Sequence, residues 1–300
     1  MKVKGIILVL IGAGSFGFTP IFVKTGFEYG YSLGQINLTQ MLISLVLLWT
    51  ISLSLGLNIK RIPKTDIIKI VATGTSVGLT GIFYYGSMQY LSASLAIILL
   101  FQFVWIGMIY EWIFNKSKPT RINLIAMFVT LTGVFLASNI LYGSVFQLPP
   151  LGLILGLLSG ASYAGFIFFS GRVAVNSHPV IRSSLMITGS MVLMLIVFHQ
   201  DIPTLNLVDG RLLGIGAGVA LFGAVIPPLF FAGGAPLISG RLANVLSSVE
   251  LPIAIISAMI ILSEPVTALQ WVGIILIIAA IFINESGGLS VTRKTRSEVM

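Results

Sequence analysis

The sequence predicts an all-α, polytopic membrane protein of ten transmembrane helices in two inverted five-helix repeats. Three observations carry this prediction: the apolar composition, the placement of basic residues between apolar runs, and an internal repeat. Of the 300 residues, 56% are hydrophobic and 9% are charged, whereas soluble domains carry about 25% charged residues. The chain has no cysteine, so disulfides and thiolate metal sites are excluded.

Apolar runs of membrane-spanning length occur ten times in the chain. A spanning helix needs roughly 20 mostly apolar residues. The first run follows two lysines, as the core of a signal peptide would, but its apolar character continues through Val23 without a clear cleavage site, so we interpret it as a retained helix. The predicted spans are residues 5–24, 34–57, 66–89, 93–114, 122–140, 151–171, 180–199, 211–232, 238–262 and 268–285.

The basic residues test this number of spans. With the N-terminus in the cytoplasm, all 17 lysines and arginines except Lys24 and Arg211 fall on the cytoplasmic side, as the positive-inside rule requires. A wrong number of spans would exchange the two sides partway along the chain. We therefore predict a multi-pass protein of the plasma membrane with both termini in the cytoplasm. The net charge of +8 then reflects topology, and nucleic-acid binding is not predicted.

An internal repeat appears when the chain is shifted by 147 residues, the distance from Ser15 to Ser162. The shift aligns Ser15-Phe16 with Ser162-Tyr163, Gly86 with Gly233, Leu95-Ala96 with Leu242-Ala243, and Val134-Phe135 with Ile281-Phe282. The repeat unit holds five spans, and because five is odd the second unit enters the membrane inverted. Inverted repeats are typical of secondary transporters, whose substrate site lies near the midplane between the halves. We predict repeats at residues 1–146 and 147–288, followed by a basic cytoplasmic tail at 289–300.

Three stretches resemble the EamA-type transporters of the drug/metabolite transporter superfamily. They are Gly14–Phe18 in the first span, Glu250–Pro252 in the ninth, and Leu262–Thr267 before the tenth. The resemblance covers nearly the whole chain and implies a ten-helix exporter of small metabolites or drug-like solutes. The first half departs from the pattern, since Lys116–Pro119 replaces the acidic turn and Phe103 stands in the register of Glu250. We therefore expect any ion coupling to depend mainly on the second half.

Glu250 is the strongest candidate for a functional residue. A charged group at mid-membrane depth costs at least about 2.5 kcal/mol, so it normally faces protein or water. Burial favours its protonated form, which would let it bind and release a proton as a cavity alternates between sides. The alternative is a structural acid bonded to Asn244, to Ser247 or to a backbone group freed by Pro252.

Polar and aromatic side chains in other spans are candidates for lining a cavity with Glu250. Aromatic rings with hydroxyl or amide groups suit flat or amphipathic solutes, although Tyr84 and Tyr85 also fit an interfacial aromatic belt. The further substrate-binding or proton-coupling candidates are Gln89, Gln102, Trp105, Tyr163, Asn244 and Ser247, with Asn37, Gln40 and Trp49 as weaker ones. Candidate hinges are Pro20, Pro227, Pro228 and Pro252, where the helices should bend.

The remaining ionisable residues do not suggest a metal site or a cofactor. Glu111, Glu264 and Glu285 lie near span ends and are interpreted as interfacial or loop charges. His178 and His199 also lie at span ends, without a second ligand at metal-binding spacing. No phosphate-binding loop motif is present, so ATP is not predicted as an energy source.

The function predicted from these features is secondary transport by alternating access, with coupling to protons or facilitated movement both open. Export is implied by the family resemblance alone. An integral-membrane enzyme acting on lipids would need clustered acid–base or metal groups, and a channel would need a filter or a charged pore. No basic residue is predicted at mid-depth, which favours neutral, zwitterionic or cationic solutes. The oligomeric state stays open.

Overall fold

The computed structural model is an all-helical bundle. It describes residues 1–91, 93–138, 149–261 and 266–297, with the side chains of 61, 93, 94, 258 and 285–297 left out. The described helices are α1 Lys2–Phe16, α2 Thr19–Glu28, α3 Leu33–Ser54, α4 Lys64–Ser87, α5 Ala93–Leu100, α6 Phe103–Asn115, α7 Arg121–Ala137, α8 Pro150–Ser170, α9 Pro179–Val197, α10 Gly210–Val219, α11 Ile226–Gly234, α12 Gly240–Ser247, α13 Glu250–Ile261 and α14 Ala268–Ser297.

The ten predicted spans are confirmed within this described part of the chain. Eight helical stretches are long and apolar enough to cross a membrane, and α7 and the apolar part of α14 are two shorter ones. Four of the spans consist of two helices each: α1 with α2, α5 with α6, α10 with α11, and α12 with α13. Large apolar side chains such as Phe128 and Phe282 lie on the outside, 64% and 70% exposed, while many serines and threonines are buried. This distribution suits a protein whose outer surface contacts lipid.

The helix packing has the two-fold pattern expected of two five-span repeats. The third span packs against the sixth and seventh, and the eighth packs in the same way against the first and second. The fourth span packs against the sixth, as the ninth does against the first. The second and seventh spans pack together, as do the fifth and tenth. These main contacts are thus unchanged in pattern when the two halves exchange roles.

The breaks of the fourth and ninth spans follow the internal repeat, whereas those of the first and eighth spans have no counterpart in the continuous helices α8 and α4. The fourth span is interrupted at Phe101-Gln102 and the ninth at Ser248-Val249, and these positions differ by the same 147 residues that relate Ser15 to Ser162. The predicted boundaries at 146 and 288 stay predictions, because 139–148 lies outside the described residues and the side chains beyond 284 are not described. The acidic turn at Ser263-Glu264-Pro265 also lies outside the described residues.

All four candidate hinge prolines lie in the first turn of a helix that follows a break. Pro20 begins α2 after the interruption at Gly17-Phe18. Pro227 and Pro228 begin α11 after a π-helical turn, Ala220–Val225. Pro252 lies in the first turn of α13. A proline is tolerated there because the first amides of a helix lack an intrahelical acceptor. The breaks are therefore encoded locally, and the hinge role stays a prediction.

The third and seventh spans approach to backbone contact. A Cβ atom added to Gly74 in α4 would collide with the carbonyl of Met186 in α9, and one added to Gly189 would collide with the carbonyl of Val71. The Ser190 hydroxyl donates a hydrogen bond of 2.6 Å to the Gly74 carbonyl across this crossing. Small residues at such a crossing are typical of membrane helix interfaces, and they fix the distance between the two halves.

We expect Gly74→Ala to lower the stability of the folded protein, because a methyl group would force the two backbones apart. Overpacking of this kind costs about 1–3 kcal/mol, more than the roughly 1 kcal/mol that alanine gains over glycine in a helix. The matched control is Gly214→Ala in α10, where nothing lies within 4 Å of the added methyl group. Thermal unfolding in detergent micelles measures the stability of both variants. Equal unfolding temperatures for the two would contradict the close crossing of the helices.

Candidate functional site

A cavity lies midway along the bundle, where the breaks of the first, fourth, eighth and ninth spans meet. About 20 Å³ of it is open to the centre of a water molecule, which suffices for water but not for an organic solute. Both halves contribute to its wall. The lining residues are Phe16, Thr19, Gln40, Val77, Thr80, Gly81, Tyr84, Tyr85, Leu100, Tyr163, Phe166, Gly223 and Glu250.

Glu250 is placed in this wall by the break of the ninth span. The residue is 2% exposed and lies in the first turn of α13, where the positive end of the helix dipole faces it. The first span packs directly on this break: a Cβ atom on Gly17 would lie 2.7 Å from the Glu250 carbonyl oxygen and 2.9 Å from the Ala254 amide nitrogen. Glycine at position 17 therefore allows the breaks of the first and ninth spans to touch.

Three tyrosines surround the carboxyl group of Glu250. Tyr84 and Tyr85 are each 3% exposed and Tyr163 is 1% exposed, and all three line the cavity. The aromatic-belt alternative for Tyr84 and Tyr85 is therefore wrong. The Tyr163 hydroxyl lies close to both the Glu250 carboxyl and the Ser247 side chain, yet it forms no hydrogen bond of ordinary geometry with a described residue.

Several buried polar atoms of the wall have no hydrogen-bond partner among the described residues. They are Oε2 of Glu250, Oε1 of Gln40, and the hydroxyl oxygens of Tyr84 and Tyr163. Buried polar groups are otherwise almost always paired, because an unpaired one costs about 1–3 kcal/mol. Four such atoms in the wall of one cavity indicate a polar site that binds water or a ligand, rather than a part of the apolar core.

The remaining candidates lie outside the cavity wall. The Gln102 side chain donates to the Ile98 carbonyl at 2.9 Å and accepts from the Trp105 indole at 2.7 Å, so these two residues satisfy each other within the fourth span. Gln89 is exposed in the turn after α4. Asn244 is buried against Gly107, at the contact of α12 with α6.

Ser247 and the weaker candidates have mainly structural contacts. The Ser247 hydroxyl donates to the Ala243 carbonyl at 2.8 Å, although the side chain faces Tyr163. The Trp49 indole donates to the Thr188 hydroxyl at 3.0 Å, and the Asn37 amide donates to the Leu33 carbonyl at 2.9 Å. Gln40 is the exception, since it lines the cavity.

Thr19, Thr80, Phe16 and Phe166 are lining residues that the sequence interpretation missed. Thr19 directly precedes Pro20 at the break of the first span. Its position beside this proline is the feature of the sequence that could have predicted it as a lining residue. Gly223 lies beside it: a Cβ atom there would be 2.9 Å from Thr19 and 3.2 Å from the Gln40 amide. A larger residue at Gly223 would fill the polar corner formed by Thr19, Gln40 and Tyr85.

The interpretation of Glu111 as an interfacial charge is wrong. Glu111 is 4% exposed and forms an ion pair of 2.6 Å with Arg172, whose guanidinium also stacks on the Phe168 ring at 3.7 Å. The Asn115 amide donates to the other carboxylate oxygen at 2.6 Å. This pair joins α6 of the first half to the turn that follows α8 in the second.

Arg182 is a second buried charge near the same end of the bundle. It is fully buried in α9 and donates to the carbonyls of Ala232 at 2.6 Å and Ser170 at 2.5 Å. Both carbonyls belong to the last turns of helices, α11 and α8, where intrahelical donors run out. Arg182 therefore ties three helices of the second half together.

Contacts between the halves are present at both ends of the bundle. At the end that carries the N-terminus, Glu111 pairs with Arg172, and Asn123 bonds Arg241 and Asn284, each at 2.8 Å. At the opposite end, Tyr31 donates to Asp209 at 2.6 Å, Ser32 to Asp201 at 2.5 Å, and Gln35 to the Thr204 carbonyl at 3.1 Å. The hydrogen bond from Tyr31 holds the pKa of Asp209 below its ordinary value.

A helical membrane bundle whose two halves enclose a central acidic cavity is the architecture of a secondary transporter. Comparison with known proteins agrees with this class. Residues 3–139 and 150–285 each match the EamA-like transporter family, so the chain belongs to that family. These two matches also show the two repeats of the chain.

Similar proteins carry transporter names. An uncharacterized transporter of Synechocystis is 22% identical over 307 residues and covers 92% of each chain. The uncharacterized transporter YcbK of Bacillus subtilis is 26% identical over 176 residues, 56% of this chain and 55% of YcbK. A solved crystal structure matches with a TM-score of 0.78 at 11% identity, covering 94% of this chain and 96% of the other, which shows the shared fold. The family match indicates a membrane-embedded transporter of a small molecule.

Proposed function

We propose that this transporter moves a small solute through the central cavity by alternating access and couples that movement to protons through Glu250. The observation that carries the proposal is the position of this carboxyl group. It is buried in the wall of the cavity at the level where the halves meet. An ionisable group at this depth is expensive and is functional by default. The carboxyl group would take up a proton from, or release it to, the side of the membrane to which the cavity opens.

The contacts between the halves at the two ends of the bundle support alternating access. Each end is held by contacts between the first and the second half, so opening one end requires breaking one set of contacts while the other set holds. The helix breaks at the cavity level give the first, fourth, eighth and ninth spans a position at which they can bend, with Pro20, Pro227, Pro228 and Pro252 as the proposed hinges. When both sets of contacts are formed, the transporter is in an occluded state. This state lies between the two states that are each open to one side of the membrane.

The proposed orientation places the N-terminal end of the bundle in the cytoplasm of the cell and the transporter in the plasma membrane. It rests on the concentration of basic residues at that end. The repeats at 1–146 and 147–288 are proposed to be inverted and to rock against each other. Export follows from the resemblance to EamA-type exporters rather than from a feature of the cavity.

An enzyme acting on lipids and a channel are the alternative functions. Among the described residues, no three of His, Cys, Asp and Glu come together as a metal site would require. A single acid between tyrosines also provides no acid–base pair. A channel would need a continuous path, whereas contacts between the halves lie at both ends of the cavity.

Proteoliposomes carrying the full-length protein and an internal pH indicator test the proposed function. We expect one class among amino acids, nucleosides and cationic drugs to move protons across the membrane in a saturable way, above the leak of protein-free liposomes. Saturable solute flux without proton movement would overturn the coupling and leave transport. Ion current that does not saturate would support a channel, and conversion of a solute into product would support an enzyme.

A further inference from the structure

The chemistry of the cavity wall identifies the kind of solute that fits. The unpartnered oxygen of Gln40 is an acceptor only, that of Glu250 is an acceptor when the carboxyl group is ionised, and those of Tyr84 and Tyr163 accept as readily as they donate. The wall is therefore richer in free acceptors than in free donors. A ligand that pairs these atoms must itself bring several N–H or O–H donors.

The charge of the cavity wall further restricts the class of ligand that fits. The lining contains one carboxyl group and, among the described residues, no lysine, arginine or histidine. An anionic ligand would meet Glu250 without any compensating positive charge. A cation would neutralise the carboxylate, and a hydrogen bond between ions of opposite charge is roughly twice as strong as a neutral one.

Aromatic rings form much of the remaining wall. Tyr163 lies edge-on to Phe16 at 5.2 Å and stacks with Phe166 at 6.1 Å between ring centroids, and Tyr84 and Tyr85 form a tilted pair at 5.9 Å. Such faces attract a cation electrostatically and also accept a flat apolar body. The acceptors and the rings surround the same space.

From these features we infer that the cavity binds a small primary ammonium ion with an apolar, preferably aromatic, body, and that Glu250 is its counter-ion. The three N–H donors of a primary ammonium match the acceptors of Glu250, Gln40 and a tyrosine hydroxyl. This inference rests on the proposed function of the cavity as the transport site. The cavity must widen to admit the ligand, since its closed form holds only water.

The inference makes proton and ammonium competitors for one carboxylate. The titratable side chains that face Glu250 are the phenols of Tyr84 and Tyr85 on α4 and of Tyr163 on α8. Phenols ordinarily titrate near pH 10, so Glu250 is the member of this set whose charge changes as the pH falls below neutral. Binding of the ammonium ion then releases a proton, and acidification weakens binding.

Equilibrium binding to the full-length protein in detergent micelles tests the inference with four probes of one shape. They are benzylamine, benzyl alcohol, benzyltrimethylammonium and benzoate. We expect benzylamine to bind about 10- to 100-fold more tightly than benzyl alcohol, with benzoate weakest and with weaker benzylamine binding at low pH. Benzyltrimethylammonium has the charge without N–H donors and should lie between. Equal binding of benzylamine and benzyl alcohol, or preference for benzoate, would overturn the inference without any variant.

Two variants locate the site. Glu250→Gln should weaken benzylamine binding about 10- to 100-fold and abolish its pH dependence, and Tyr163→Phe should weaken it less. Glu28→Gln is the matched control, because it makes the same change at an exposed carboxyl group at the end of α2 and should bind as the wild type does. Benzylamine binding that survives Glu250→Gln unchanged would place the ligand elsewhere.

The binding and transport results separate the two proposals. If benzylamine fails to bind but another solute class shows saturable flux that depends on Glu250, the substrate class is wrong and the proposed transport site stands. If no solute flux depends on Glu250 and benzylamine also fails to bind, both proposals fall.

Discussion

Glu250→Gln is expected to abolish proton-driven solute accumulation while leaving the protein folded. Glutamine has nearly the shape of the protonated acid, so the packing of Gly17 against the break of the ninth span is retained. It carries no proton that can be released when the cavity changes sides. Accumulation up a solute gradient should therefore fall to the level of protein-free liposomes at every pH, and the wild-type pH dependence should disappear.

Two further variants make this result specific to the carboxyl group at position 250. Glu250→Asp keeps a carboxyl group that can release a proton, but its side chain is shorter by one methylene. We therefore expect slower transport that keeps its pH dependence. Glu28→Gln removes a carboxyl group that is exposed and should transport like the wild type. Thermal unfolding of each variant in micelles checks that folding is intact. Proton-driven accumulation by Glu250→Gln with the wild-type pH profile would remove Glu250 from the coupling mechanism.

The number and position of the spans could be predicted because hydropathy and charge placement act over whole helices. The repeat register was equally accessible, and the breaks at Phe101-Gln102 and Ser248-Val249 confirm its offset. Glu250 could be placed in the bundle interior because the energetic cost of a charge in lipid leaves few alternatives. These features depend on composition and spacing along one helix, which a single sequence contains.

The rotation of each helix could not be predicted in the same way. Tyr84 and Tyr85 satisfy both an interfacial belt and a cavity wall by sequence, and only the packing of α4 against α8 and α9 decides between them. Gln102 is a candidate for the cavity wall by sequence, but it bonds locally to the Ile98 carbonyl and the Trp105 indole. Local hydrogen bonds of this kind satisfy a polar side chain without a cavity.

The burial of charged side chains near span ends is the second feature that could not be predicted from the sequence. In sequence, Glu111 resembles an interfacial charge and Arg182 resembles a basic residue that follows the positive-inside rule, because both lie within a few residues of a turn. For Arg182 a signal was nevertheless present. The carbonyl of Ala232 would normally accept from the amide of residue 236, but Pro236 has no amide hydrogen. A carbonyl without a helical donor requires another donor, and Arg182 provides it.

Arg182→Leu is expected to cause the largest loss of stability among single substitutions in the second half. It would leave the carbonyls of Ala232 and Ser170 buried at helix ends without their donor. Each unpaired buried group costs about 1–3 kcal/mol, and removal of the guanidinium also leaves a cavity between α8, α9 and α11. Together these effects reach a large share of the 5–15 kcal/mol that is typical of folded domains. We expect little monodisperse protein in size-exclusion chromatography and a strongly lowered unfolding temperature.

Arg182→Lys and Arg121→Leu distinguish this role from a simple charge effect. Lysine keeps the positive charge but cannot span both carbonyls with a planar fork, so it should recover only part of the stability. Arg121→Leu removes a basic residue that is exposed at the start of α7 and should unfold near the wild-type temperature. If Arg182→Leu were as stable as Arg121→Leu, Arg182 would act only as a topology signal. Full rescue by lysine would show that charge, rather than the bridge between two helix ends, is what position 182 supplies.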